Sequence, residues 1–330
     1  MRRLLAGLAA GLLSLTAAAC GSSGNSGSSG GGSPQQDGSA SGSTATVRLG
    51  VIPIVDVAPV YLGQKRGIYA RHGLKLELTT AQGGAAIVPA VVSGQFQFGF
   101  SNVTTLMVAQ SNGVPVKAVA NGAASTGVVG KDFGALTVKK GSAIRSAKDL
   151  DGKKVAVNTL RAINELAVRE SVRRAGGDPS KVRFVELAFD QMPAALDSGQ
   201  IDAAMVVEPA LATIKSQGGT EIASPLVDVA GNLTVAMYFT SRQYAEREPE
   251  LVKKFQKATA ESLAYAGEHP DEVRDIVTTY TKIPASLLKQ VILPKWPAEP
   301  DRNSIEALRK LGEQDGLFPK QTPDLDALLP

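Results

Sequence analysis

One cysteine and two histidines in 330 residues leave few routes to chemistry. His72 lies in the turn "YARHGLKL" and His269 precedes a proline at a helix end. Neither has a cysteine or a second histidine nearby, so no metal site of the zinc type is expected. A lone thiol cannot build an internal disulfide framework. Beyond residue 45 there is no Gly-x-Ser-x-Gly nucleophile elbow and no Gly-x4-Gly-Lys-Ser/Thr phosphate loop. Basic side chains are scattered, with no stripe interleaved with aromatics, which are only 5% of residues. Nucleic-acid binding therefore has no support. Asp56 and Glu208 are the acidic residues nearest to an acid–base pair, and nothing in the sequence sets them at catalytic spacing. The expectation is a protein that binds rather than transforms, with no cofactor.

What is present begins at the N-terminus. Arg2 and Arg3 precede "LLAGLAAGLLSLTAAA", a 16-residue apolar run that ends at Cys20. A positive start, a short apolar stretch and small residues read as a secretory signal over residues 1–19, too short for a membrane span. Cleavage after Ala19 by an ordinary signal peptidase is one reading of "AAAC". The other is lipidation, because the stretch resembles the lipobox of bacterial lipoproteins, with Ala17 where that family usually has Leu. A single unpaired thiol in an exported chain favours the second. Several acyl chains on Cys20 would anchor the protein to the outer face of the cytoplasmic membrane. Residues 21–45 are nearly all Gly, Ser and other small polar types. Too few apolar groups are present to offset ordering, so Cys20 and this segment, residues 20–45, form an anchor and tether spanning about 25–30 Å. Removing Arg2 and Arg3 leaves 33 of the 35 basic side chains against 31 acidic ones.

From Thr46 the chain alternates. "TVRLGVI", "LKLELTT", "QFQFGF" and "PVKAVANGA" read as strands separated by helical runs of about ten residues, the pattern of βαβ units and parallel sheets. The alternation restarts after "GALTVKK" with "KKVAV", "KVRFVEL" and "QIDAAMVV". Both halves contain a helix stopped by Ser-Gly-Gln and followed by a strand: "SGQFQFGF" at 93–100 and "SGQIDAAM" at 198–205. Matching context on both sides implies two similar lobes. After Arg242 the chain is helical, and Leu251, Phe255, Thr259 and Leu263 fall on one stripe, with Lys253, Lys254 and Lys257 turned away.

The run "GVIPIVDVAPVYLGQKRGIYARHGLKLELTTAQGGAAIVPAVVSGQFQFGFSN", with "DLDGKKVAVNTLRAINELAVRESVRRAGGDPSKVRFVEL" and "ALDSGQIDAAMVVEPA", resembles the solute-binding proteins of ABC importers. Within them it is similar to the nitrate/sulfonate/taurine and thiamine-pyrimidine-precursor group. That resemblance implies an α/β, two-lobe type II periplasmic-binding-protein fold with two parallel-sheet lobes. It places two hinge crossings near Thr137–Lys140 and Val235–Thr240, which gives 46–138 and 237–330 to one lobe and 139–236 to the other. It further implies a monomer that serves an ABC permease and its ATPase.

Ligands of open parallel sheets sit beyond the carboxyl ends of strands, where helices begin. The candidate ligand residues follow from that position. They are Asp56 and Val57 after the first strand, Gly83, Gly84 and Ala85 after the second, and Ser101 and Asn102 after the third, Asn102 being equally a helix cap. In the other lobe they are Asn158, Thr159 and Asn164, then Phe189 and Gln191, and finally Glu208, which could equally cap its own helix. Gly84→Val is expected to weaken ligand binding with little effect on stability. Bare helix N-termini suit an anion, whereas Asp56 and Glu208 suit an amine or a ring N–H. A small organic sulfonate or similar anion, zwitterions included, leads. A pyrimidine-type thiamine precursor, or another small amine or heterocycle, is the alternative, and a ligand-free, lipid-anchored interaction or sensor module is a third reading.

If Cys20 carries the anchor, Cys20→Ser releases the protein into the medium. The check is fractionation of cells expressing each form, and a mutant that stays with the membrane sinks the anchor.

Overall fold

The computed structural model describes residues 44–330. The expected signal peptide, Cys20 and nearly all of the tether lie outside those residues. Strand β1 (Ala45–Val51) leads through a 3-10 turn at Val55–Val57 into α1 (Ala58–Lys65) and α2 (Ile68–Arg71). Then β2 (Leu74–Thr80) is followed by α3 (Gly84–Val92), β3 (Phe98–Asn102) by α4 (Val103–Ser111), and β4 (Val116–Ala124) closes the first run. The second run begins with β5 (Gly134–Val138) and β6 (Lys154–Val157), continues through α5 (Ile163–Arg174), β7 (Arg183–Glu186), α6 (Met192–Asp197), β8 (Ala203–Val207) and α7 (Ala210–Ser216), and ends with β9 (Thr220–Ala223) and α8 (Pro225–Val229). Last come β10 (Thr234–Ser241), α9 (Arg242–Arg247), α10 (Pro249–Glu268), α11 (Pro270–Val277), α12 (Arg302–Gln314) and α13 (Leu325–Leu328). Among the described residues no helix is long and apolar enough to cross a membrane.

The strands form two sheets of the same design, ordered β2-β1-β3-β10-β4 and β7-β6-β8-β5-β9. Each is mixed, which corrects the expectation of parallel sheets. In the first, β10 runs antiparallel to both β3 and β4. In the second, β5 runs antiparallel to both β8 and β9. The reason is geometric. Each of these strands is the first after a passage from the other sheet, and the passages run where the two sets of carboxyl ends face each other. A chain arriving there enters at the end where parallel strands finish, so it has to run backwards.

The passages themselves lie earlier than expected. Sheet membership changes between β4 and β5, over residues 125–133, and again between α8, which packs on α5 and β5, and β10, over residues 230–233. Thr137 and Val138, expected at a crossing, are buried inside β5, where Thr137 Oγ1 donates to the Ala204 carbonyl at 3.0 Å. Val235–Thr240 is likewise interior to the fully buried β10. Both are apolar central strands, and an unbroken apolar strand is a poor place for the backbone rotation a hinge needs.

The repeated Ser-Gly-Gln occupies the same place in both sheets. Ser93 and Ser198 cap α3 and α6, and each hydroxyl donates to the carbonyl three residues earlier, Ala90 or Ala195, at 3.2 Å. Gly94 and Gly199 follow with φ of 79° and 73°, the left-handed turn that stops a helix without a Cβ clash. The strands that follow, β3 and β8, are third in their sheets and entirely buried. Phe98 and Phe100 belong to the core, with the Phe98 ring stacked at 4.0 Å on Phe255 of α10. The α10 stripe is the expected one, with Phe255, Thr259 and Leu263 inward and Lys253, Lys254 and Lys257 exposed. Through it α10 packs on α1, α2 and β4 and covers the first sheet.

Because a Cβ at Gly94 would meet nothing within 4 Å, Gly94→Ala carries only the backbone strain, and Gly199→Ala meets only the flexible end of Lys139. Each substitution is expected to cost about 1–2 kcal/mol. Urea unfolding checks this, and a cost at one position without the other would break the equivalence of the two turns.

Candidate ligand-binding seam between the lobes

The seam is built from loops at the carboxyl ends of both sheets. After β1, Pro53 breaks the strand and Asp56 falls in the 3-10 turn that runs into α1. Asp56 is 2% exposed. Its backbone carbonyl accepts the indole N–H of Trp296 at 3.0 Å. Its Oδ1 is the one buried carboxyl oxygen among the described residues with no hydrogen-bond partner. Burial pushes this carboxyl from its ordinary 3.8 up to about 7; the backbone N–H of the same residue opposes the rise, and the negative charge of Asp132 adds to it. Val57, fully buried, is core beside it.

After β2, Gly83 and Gly84 start α3, and no side chain caps that helix. The two glycines do different work. A Cβ on Gly83 would stand 2.5 Å from Thr159 Oγ1 and 3.4 Å from Asn158 Nδ2, across the seam in the other lobe. A Cβ on Gly84 would stand 1.9 Å from the Ser101 hydroxyl and 2.7 Å from Ser101 Cβ, within its own lobe. A valine at Gly84 therefore strains the lobe itself, which corrects the expectation of unchanged stability; Gly83 is the glycine that allows close approach between lobes. Ala85 is exposed. Ser101 is fully buried, and Asn102 caps α4 by accepting the Thr105 N–H at 2.8 Å.

In the second lobe, Asn158 and Thr159 follow β6 and are buried, and Asn164 Nδ2 donates to Asn158 Oδ1 at 2.9 Å. Between them Arg161 has φ of 54°, a conformation few side-chain-bearing residues adopt. Its N–H is held by Glu165 at 2.8 Å, and its guanidinium donates to the Gly316 carbonyl at 2.7 Å. No side chain caps α5. The uncapped starts of α3 and α5, one helix from each lobe, are linked through these residues: Gly83 packs against Asn158 and Thr159, and Asn158 accepts from Asn164 in the first turn of α5. Phe189 is 8% exposed and borders a cavity of about 240 Å³ shared with Ile52–Ile54 and Thr80–Gln82 of the first lobe. Gln191, at the end of the same 3-10 turn, is exposed.

Glu208 is fully buried, but both its carboxyl oxygens are engaged. One accepts the Ala212 N–H of α7 at 3.0 Å and the other the Ile292 N–H at 3.1 Å. Its backbone carbonyl accepts the Val55 N–H at 3.1 Å. It fastens three segments together, and its expected place at a ligand gives way to that role. Burial pushes its carboxyl up to about 7, against the pull of those two N–H donors.

Several residues at the seam escaped the sequence reading. Trp296 is one. Tyr280, whose hydroxyl donates to the Ile54 carbonyl at 3.2 Å and whose ring stacks at 3.9 Å on Tyr61, is another. Asp132, buried in the first passage, accepts from the Ser125 hydroxyl at 2.9 Å and the Thr126 N–H at 2.8 Å. Trp296 is the chain's single tryptophan, and that scarcity was the available signal.

Asp56 and Glu208 both hold a proton more tightly when folded than when unfolded. Their contribution to stability is thus complete below the ordinary carboxylate range and is lost as pH rises from about 4 to about 7. In Asp56→Asn the Asp56 share of this loss disappears. The variant should match the wild type near pH 4 and exceed it at pH 8 by on the order of a few kcal/mol. Urea titrations at the two pH values decide it; the same difference at both would show that the carboxyl is not held in the acid form by burial.

A relative from Escherichia coli strain K12, named taurine-binding periplasmic protein, is 29% identical over 217 residues, which is 64% of this chain and 64% of that protein. The riboflavin-binding protein RibY of Chloroflexus aurantiacus is 25% identical over 286 residues, covering 82% of this chain and 76% of RibY. The crystal structure of the alkanesulfonate-binding protein SsuA from Xanthomonas axonopodis pv. citri, bound to MOPS, superposes with a TM-score of 0.73 at 17% identity, covering 87% of this chain and 98% of SsuA. With these neighbours the two-lobe architecture is that of periplasmic binding proteins. Residues 54–273, from the loop after β1 to within α11, match the model of the family described as NMT1/THI5 like, and this chain belongs to that family.

Proposed function

We propose that this chain is the extracytoplasmic solute-binding protein of an ABC importer. Held at the outer face of the cytoplasmic membrane through Cys20, it acts as a monomer that takes a small organic anion of the sulfonate, nitrate or taurine type between its lobes and hands it to a permease and its ATPase. The taurine-binding relative and the fold of sulfonate-binding proteins support the ligand class.

The observation that carries the reading furthest is the partnerless oxygen of Asp56. A buried carboxyl with an unused oxygen is a costly arrangement that an ammonium group would relieve by a charge-assisted hydrogen bond. The uncapped first turns of α3 and α5 offer N–H groups and positive dipole ends to a sulfonate. A zwitterionic aminosulfonate satisfies both ends of the site at once. Because the N–H donors come from two lobes, such a ligand favours the closed arrangement over any open one.

The test uses the mature chain from residue 20 with Cys20→Ser, refolded to remove carried-over ligand, and a thermal-shift panel of taurine, ethanesulfonate, nitrate and an aminopyrimidine. A ligand at a hundred times its Kd adds about 2.7 kcal/mol, a shift of several degrees. Taurine is expected to stabilise, and Asp56→Asn to weaken taurine roughly ten- to a hundredfold while leaving ethanesulfonate nearly unchanged. Stabilisation by the aminopyrimidine alone would replace the sulfonate class. A silent panel would favour an interaction module on the same fold.

A further inference from the structure

The 240 Å³ cavity at the seam does not end at Phe189. Four of its lining residues, Pro53, Thr80, Phe189 and Asp190, also line a second, larger groove of about 550 Å³ that runs outward between α6, α7 and the segment 280–284. Phe189 is the one aromatic residue that lines both spaces. A volume of this size falls in the range of small-molecule sites.

The groove wall has a consistent chemistry. Pro193 and Pro209 of the second lobe face Ile283 and Pro284 of the C-terminal segment. Prolines carry no N–H, so these walls present little that water must satisfy, and their rings do not rearrange. Tyr280 is held by its stack on Tyr61 and its hydrogen bond to Ile54. At the rim, Lys282 and Asp190 lie 3.4 Å apart and neutralise each other. The groove therefore offers no net charge to an anionic head group, and a mainly apolar wall, interrupted by Thr80, Thr213, Gln217 and Thr281, to whatever is attached to it. Stiff flat walls suit a ring better than a flexible chain, which loses rotamer freedom on being ordered.

We infer that the ligand is an organic anion carrying a ring-bearing apolar substituent: the anionic head group sits in the seam at the uncapped first turns of α3 and α5, and the ring passes Phe189 into the groove between α6, α7 and residues 280–284. This rests on the sulfonate-type reading of the head-group site. It adds a subsite whose occupancy sets specificity by size and shape rather than by charge.

The test is a matched pair of ligands, propane-1-sulfonate and 3-phenylpropane-1-sulfonate, which share head and linker and differ only by the ring. Calorimetry on the mature chain with Cys20→Ser is expected to show the phenyl compound binding roughly tenfold or more tightly, the scale for burying one aromatic ring. Ala194→Trp, from an exposed position on α6 that lines the groove, fills it without touching the core. It should abolish the gain and leave propane-1-sulfonate unchanged. Thr213→Trp fills the same groove from α7 and should do likewise. Equal affinities for the two ligands in the wild type, or a gain that survives both substitutions, overturns the subsite. Failure of both sulfonates to bind overturns the head-group reading, and the subsite with it.

Discussion

Glu208 ties the second lobe both to the loop after β1 and to the C-terminal segment. Burying a carboxyl costs several kcal/mol unless its oxygens are matched by donors. Here the donors come from different parts of the chain: Ala212 in the second lobe, and Ile292 in the C-terminal segment that returns past the first. The backbone carbonyl of the same residue takes Val55, in the loop that positions Asp56. A single buried residue, through its side chain and its backbone carbonyl together, thus ties three segments at the seam. Asp56 is the opposite case, a buried carboxyl whose surroundings leave one oxygen unmatched. Side by side, the two define what is structural and what is available. The raised pKa of both groups arises from the same cause, burial, but the oxygens of Glu208 are engaged by two N–H donors while Oδ1 of Asp56 is left without one.

The mixed sheets follow from where the lobes are joined. Passages at 125–133 and 230–233 enter each sheet at its seam side, so the strand that follows each passage runs against its neighbours. That arrangement keeps both connections short and next to the site. Asp132, with its hydroxyl and N–H partners, fixes the turn inside the first passage. These two short segments are the places where the chain passes from one sheet to the other.

Much of this was legible in the sequence, for local reasons. The two Ser-Gly-Gln stops are set by backbone geometry within a few residues, and they mark equivalent turns because a left-handed residue after a helix strongly favours glycine. The α10 stripe depends on a 3.6-residue period that short-range chemistry enforces. The loops after β1, β2, β3 and β6 were placed by strand-to-helix punctuation alone, and Gly83 does lie against Asn158, which Asn164 holds, while Asp56 is tied to Trp296 instead. What could not be read is tertiary. The direction of β5 and β10 depends on where the chain enters a sheet, and an apolar strand looks the same in either direction. Whether Gly83 or Gly84 faces the other lobe depends on which neighbour lies opposite, Thr159 or Ser101. Glu208 looked like a ligand residue because acids after strands often are; its donors lie 4 and 84 residues away, and only the nearer could be guessed. Trp296 and Tyr280 return from a part of the chain whose local pattern says only helix and loop.

The order of strands in the first sheet has a consequence for how the molecule comes into being. β10 lies between β3 and β4, yet more than a hundred residues of chain separate it from either. Until β10 arrives, β4 has no partner in that sheet, whereas the second sheet is drawn from one uninterrupted stretch, residues 134–223. Pairing across such sequence distance is slow, because the loop must close before the contacts reward it. The lobe whose strands are made first is therefore the lobe completed last. The later-made lobe can fold first and act as the fixed body onto which β10 and the C-terminal helices close the other.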